Sequence, residues 1–181
     1  MASAAQKPTA PALKTYTFPD GHISFAFPAN WQVRAELGPT IPGGPLDCYQ
    51  AVLTDQRGKE MAFMVSGFYG DGAAGPVDRH VFDSAPVPGL ADFGGEPSFG
   101  FVRDTVPGAG ENLLMDIRPA AEFQDGSTSG GSGQLVLPNG VGIFRANVKA
   151  SGLSSDGAVK AWMRSSDYAQ LKAMLLSVSY R

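Results

Sequence analysis

Cysteine occurs once in the 181 residues, histidine twice, and charged side chains make up only 17%. A single cysteine, Cys48, excludes an intramolecular disulfide and any cluster of thiolate metal ligands. It opens the strand-like run CYQAVLTD and reads as a small buried hydrophobe rather than a reactive thiol. No apolar run is long enough to cross a bilayer as a helix. The 14 lysines and arginines are outnumbered by 17 acids, for a net charge of −3, and they are scattered along the chain. That excludes the basic footprint of a nucleic-acid binder and the polybasic patch of a membrane-surface binder.

Aromatic and turn-forming residues are what the chain has in quantity. Apolar residues reach 43%, with 11 phenylalanines, so a packed core is affordable at this length and one domain is expected. The 23 glycines and 14 prolines imply many turns and several long loops, a mix suited to an extracellular bacterial domain. Met1 to Leu13 is small, polar and proline-bearing, the composition of a flexible tether, with the folded domain expected over 14–181. An export signal or lipid-acceptor cysteine is expected upstream of that tether, placing the native protein outside the cell or on its surface.

The run TYTFPDGHISFAFPANWQV, Thr15 to Val33, organises the rest. Thr15–Phe18 and His22–Phe27 read as strands around a Pro19-Asp20-Gly21 turn, and Ile23, Phe25 and Phe27 share one face. A third run spans Gln32–Leu37, followed by a Gly/Pro loop over 38–45. Cys48–Thr54 with Met61–Phe68, Ser98–Val106 with Asn112–Pro119, and Gln134–Leu137 with Val141–Ala150 read as three hairpins, the last around Asn139-Gly140. Tyr69–Gly75 reads as a loop, and Pro76–Phe82 as a short helix or an irregular crossing. Gln124–Gly133, QDGSTSGGSG, reads as flexible, with no side chain to anchor it. Ser155 and Ser165 are placed to cap two helices, the second carrying Tyr168, Leu171, Met174 and Leu175 at helical spacing. Ser177–Tyr180 closes as an edge strand. The expected class is α+β, an antiparallel sheet of hairpins with helices packed on it.

The pattern Phe18-x-Asp20-Gly21-x-Ile23-x-Phe25-x-Phe27-Pro28-x-x-Trp31-x-Val33 resembles the opening of PsbP-like domains, and Tyr168–Tyr180 is similar to their terminal helix and strand. Small actinobacterial secreted proteins and lipoproteins share this layout. The resemblance implies an α/β/α sandwich that acts as a noncatalytic accessory or binding module of the cell envelope. Its partner would be an envelope protein or a glycan, and membrane attachment would come only through a lipid anchor upstream of the tether. No cofactor is implied. The His and acidic metal sites of photosystem members match no position here, so none is carried over. The resembling residues serve packing and turns, and they say little about function.

Among chemical candidates, His22 begins a strand and reads as a solvated edge residue. His80, in Asp78-Arg79-His80, is the better one, and the alternative function is a small hydrolase using His80 with a carboxylate from the 69–83 loop. No Gly-x-Ser-x-Gly elbow, nucleotide loop, zinc-helix pattern or calcium loop accompanies it. Asp71, Asp78, Asp83 and Glu96 read as solvated loop acids. Phe68, Phe82, Phe99 and Phe101 read as core. Tyr69 and Phe93, each beside glycine in a loop, join His80 as the candidate ligand-binding residues.

Overall fold

The computed structural model describes residues 12–39, 48–69, 74–130 and 133–181. The expected tether as far as Pro11, most of the 38–45 loop and positions 70–73 lie outside them. The strands run β1 (Leu13–Thr17), β2 (Ile23–Pro28), β3 (Gln32–Leu37), β4 (Tyr49–Thr54), β5 (Glu60–Phe68) and β6 (Pro76–Pro86). They continue with β7 (Pro97–Val106), β8 (Gly110–Pro119), β9 (Gly126–Ser129), β10 (Gln134–Leu137) and β11 (Gly140–Ala146). The helices α1 (Asp156–Trp162) and α2 (Ser166–Leu176) follow, and β12 (Ser179–Tyr180) closes the chain. The fold is α+β, and every strand pair is antiparallel.

Two sheets form. The small one is ordered β1-β2-β12, and the large one β3-β4-β5-β11-β8-β7-β6-β9, with β10 on the free half of one edge of β11. The large sheet is therefore two three-stranded meanders with β11 inserted between them. The β1–β2 turn has the expected chemistry: Gly21 takes φ +79°, and Asp20 Oδ1 accepts the His22 amide at 3.1 Å. Ile23, Phe25, Phe27 and Trp31 all lie inside, with Phe25 1% exposed. They share one core with Leu53, Met64, Phe99, Phe101, Met115 and Phe144 of the large sheet. Ser155 Oγ accepts the Ala158 amide and Ser165 Oγ the Tyr168 amide, both at 3.2 Å, so both helices start where their caps predict. Helix α2 lies against β2, β7 and β11, and its Leu171, Met174 and Leu175 are buried there.

Several expectations need correction. Leu13 belongs to β1 rather than to a tether, and the Ala12 carbonyl already accepts the Ala29 amide at 2.7 Å. Pro76–Phe82 is neither helix nor irregular crossing but the first part of an 11-residue strand, β6. Its prolines stand at the ends, where a missing N–H costs little. Gly126–Ser129, inside the supposedly flexible Gly/Ser tract, pairs with Arg79–Pro76 as an edge strand. Backbone pairing held it, and no side-chain anchor was required. The strand expected to reach Ala150 stops at Ala146, after which the Asn147 amide bonds the Met61 carbonyl at 2.8 Å.

The face of the large sheet opposite this core carries buried charge. Arg79 makes a bidentate pair with Asp104 across β6 and β7, both bonds 2.7 Å. Arg118 does the same with its neighbour Asp116 at 2.8 Å, and Arg145 Nε stands 3.7 Å from Asp116. The segment after β8 closes over them. The Glu122 carbonyl accepts from Arg79, the Glu122 carboxylate lies 3.7 Å from Arg118, and the Phe123 ring faces the Arg118 guanidinium. That ring rests directly on Gly100, where an added Cβ would come within 2.0 Å of it. Burial works against the Arg118 cation, but Asp116, with Glu122 and Asp104, outweighs it and holds the group more basic than usual. Removing one member of such a pair strands the other. Asp104→Ala is expected to cost about 3–5 kcal/mol in denaturant unfolding. The double variant Arg79→Met with Asp104→Leu should recover most of that loss.

Candidate functional site

The three residues singled out from sequence stand apart. Tyr69 follows β5 and is 58% exposed. Phe93 is half-buried after a 3-10 turn at Pro88–Leu90, edge-on to Tyr180 at 4.9 Å. Tyr180 in turn stacks on His22 at 5.3 Å, and the partly exposed His22 Nδ1 lies 3.1 Å from the Arg181 carbonyl. Among the described residues, no hydrogen bond, ion pair or ring contact joins Tyr69, His80 and Phe93.

His80 sits on β6 between two carboxylates. Its Nδ1 is 3.2 Å from Asp125 and its Nε2 3.8 Å from Asp156, the first residue of α1. Arg103 of β7 binds Asp156 at 2.5 Å and lies over Phe82, while Phe82 meets the His80 ring edge-on. Both acids come from beyond the 69–83 segment named in the sequence analysis. Each ring nitrogen faces a carboxylate, and among the described residues no serine, threonine or cysteine is bonded to the ring. The cluster ties β6 to the start of α1.

Asp83, expected to be a solvated acid, is another tie. Its Oδ2 accepts from the Tyr168 hydroxyl and from Lys172 Nζ at 2.5 Å, both on α2. Lys172 also lies 5.3 Å above the Phe99 ring, and Tyr168 packs on Phe101 and Trp162. Burial first, then the hydrogen bond to Asp83, pushes ionisation of the Tyr168 phenol far above its usual range.

Two hollows adjoin α2, apart from these residues. One is an apolar groove of about 260 Å³ between that helix and the small sheet, walled by Leu13, Phe27, Pro28, Ala169, Ala173 and Met174. Gln170 and Ser177 are its polar residues, and no ionisable group lines it. Leu13, on its rim, is 62% exposed. The second is a polar cavity of about 480 Å³ beside the first turn of α2, the Pro28–Trp31 turn and the β4–β5 turn. Arg57, Lys59, Lys149, Asp55, Asp167 and Gln170 line it, with Trp31 among its walls. None of these concave residues was singled out from sequence as a ligand contact; Phe27, Trp31 and Met174 were read as packing residues. Leu13 was assigned to a tether, and Ala169 and Ala173 are small residues whose spacing marks only a helix face. Among the described residues, no group of three or more His, Cys, Asp or Glu side chains is arranged to hold a metal ion.

Compared with known proteins, the chain matches no protein-family model, no curated protein and no solved structure.

The Asp83 tie has a pH signature. A phenol whose ionisation is raised in the fold contributes stability that is intact below the unfolded value near pH ~10 and is lost as pH climbs past it. Tyr168→Phe is therefore expected to lower stability by about 1 kcal/mol at neutral pH. Its stability should then fall less steeply than that of the parent in chemical denaturation between about pH 9 and about pH 11.

Proposed function

We propose that this chain is a noncatalytic binding module that takes an apolar ligand into the groove between the small sheet and α2. Outside the cell or tethered at its surface, it would act as an accessory protein of the envelope, in a PsbP-like sandwich. The groove carries the proposal. Its walls come from three separate elements, they are almost wholly apolar, and a side chain as hydrophobic as Leu13 stays open on its rim. Concave apolar surface with a few polar groups at the margin is the usual form of a small-ligand site. A groove of this kind gains free energy from an apolar occupant, and its one hydroxyl, Ser177, is bonded to the Ala26 and Met174 backbone. The tether-like composition of the first residues and the PsbP-like signature around Trp31 favour the same role and location.

Alkyl ligands test this directly. Burial of each methylene is worth about 0.8 kcal/mol, so affinity for a homologous series of uncharged alkyl glycosides should improve about fourfold per added carbon until the groove is full. Ala173→Trp, at an exposed helix position on the groove wall, is expected to abolish that binding while leaving the circular dichroism spectrum unchanged. A flat dependence on chain length, or binding untouched by Ala173→Trp, would remove the proposal.

A further inference from the structure

The apolar groove and the polar cavity adjoin each other. Gln170 lines both, and the turn after β2 separates them, with Pro28 on the groove side and Asn30 and Trp31 on the other. That turn is held closed by the Trp31 amide on the Pro28 carbonyl at 2.9 Å and by the Ala29 amide on Ala12. The ridge between the two hollows is thus a fixed piece of backbone. Together they reach the roughly 300–1,000 Å³ of ordinary small-molecule sites, which the groove alone does not.

Their chemistry is complementary. Most arginines near the core are committed: Arg79, Arg103 and Arg118 each bind a carboxylate, as does Lys172. The three cations of the polar cavity, Arg57, Lys59 and Lys149, close no ion pair within 4 Å among the described residues. Two acids share the cavity, but Asp55 is occupied by its own turn. Its Oδ1 accepts the amides of Lys59 at 3.0 Å and Arg57 at 2.8 Å, and these bonds, with the nearby Arg57 and Lys59 charges, hold the carboxylate below its usual range. Asp167 stands in the first turn of α2, where the helix dipole favours it. Three cations against these two acids leave the cavity with a net positive charge, and Asn30, Gln56 and Gln170 complete its polar lining.

We propose that the two hollows form one site for a single-chain anionic amphiphile, its alkyl chain between Phe27 and Met174 and its phosphate or carboxylate head among Arg57, Lys59 and Lys149. This rests on the groove being the binding site and adds the charge and position of the head group. Charge-assisted hydrogen bonds supply the head-group preference, and burial of the chain supplies the rest.

Calorimetric titration of the full chain with three probes separates the possibilities: decyl phosphate below its micelle concentration, uncharged decyl maltoside, and inorganic phosphate. Decyl phosphate is expected to bind about tenfold or more tightly than the maltoside, and inorganic phosphate only weakly. The triple variant Arg57→Gln/Lys59→Gln/Lys149→Gln should erase the preference for decyl phosphate and leave maltoside binding in place, which also shows that the variant is folded. Raising salt should weaken decyl phosphate binding and spare the maltoside. Equal affinity for both amphiphiles, unaffected by the triple variant, overturns the head-group assignment while the groove stands. Inorganic phosphate binding as tightly as decyl phosphate overturns the joined site in favour of a separate anion site. Failure of both amphiphiles overturns this inference and the groove together.

Discussion

Burial of β2 on both sides is the constraint on which the rest of the structure depends. Ile23, Phe25 and Phe27 cannot face water, and a two-strand hairpin cannot cover them. They need the large sheet on one side and α2 alongside, so elements about 150 residues apart in sequence must meet. The join is tight in detail: Ser177, at the end of α2, accepts the Ala26 amide on its hydroxyl at 2.8 Å, and Ser179 of β12 pairs with Ser24. The closing residues of the chain thus complete the sheet that its opening residues begin. This also explains why α2 is anchored so heavily elsewhere, through Asp83 to Tyr168 and Lys172. A helix that roofs the core must hold its azimuth if its other flanks are to form defined hollows.

The large sheet solves a different problem on its far side. An antiparallel sheet can leave one face wet, but here the short segment after β8 folds over that face and closes off several charges. Bidentate pairing of Arg79 with Asp104 and of Arg118 with Asp116 offsets part of the desolvation cost. The gain is positional. The Arg79–Asp104 pair, on adjacent strands, accepts only one register, and Phe123 seats only over a glycine.

Both proposed ligand surfaces are by-products of the same packing. The groove exists because α2 presents Ala169 and Ala173, rather than larger residues, to the side of the small sheet. The polar cavity exists because the tight Asp55 turn, the Pro28–Trp31 turn and the first turn of α2 reach the same side of the core. Binding would then demand little rearrangement, since each wall is held by backbone hydrogen bonds or by a helix.

Local chemistry in the sequence was sufficient for the α+β class, the β1–β2 turn, the hairpins, the two helix caps and the interior position of Phe25, Phe27 and Trp31. Each of these depends on neighbours a few residues away or on a two- or 3.6-residue period. What escaped it was decided across distance. Gly126–Ser129 becomes a strand only because β6 offers an edge. Pro76–Phe82 becomes a strand because β7 and β9 pair with it on its two edges. Asp83, His22 and His80 find partners that no spacing announces. The groove and the polar cavity belong to this second kind, because a hollow is a property of surfaces that meet, and the residues lining these two come from segments as distant as Leu13 and Ser177.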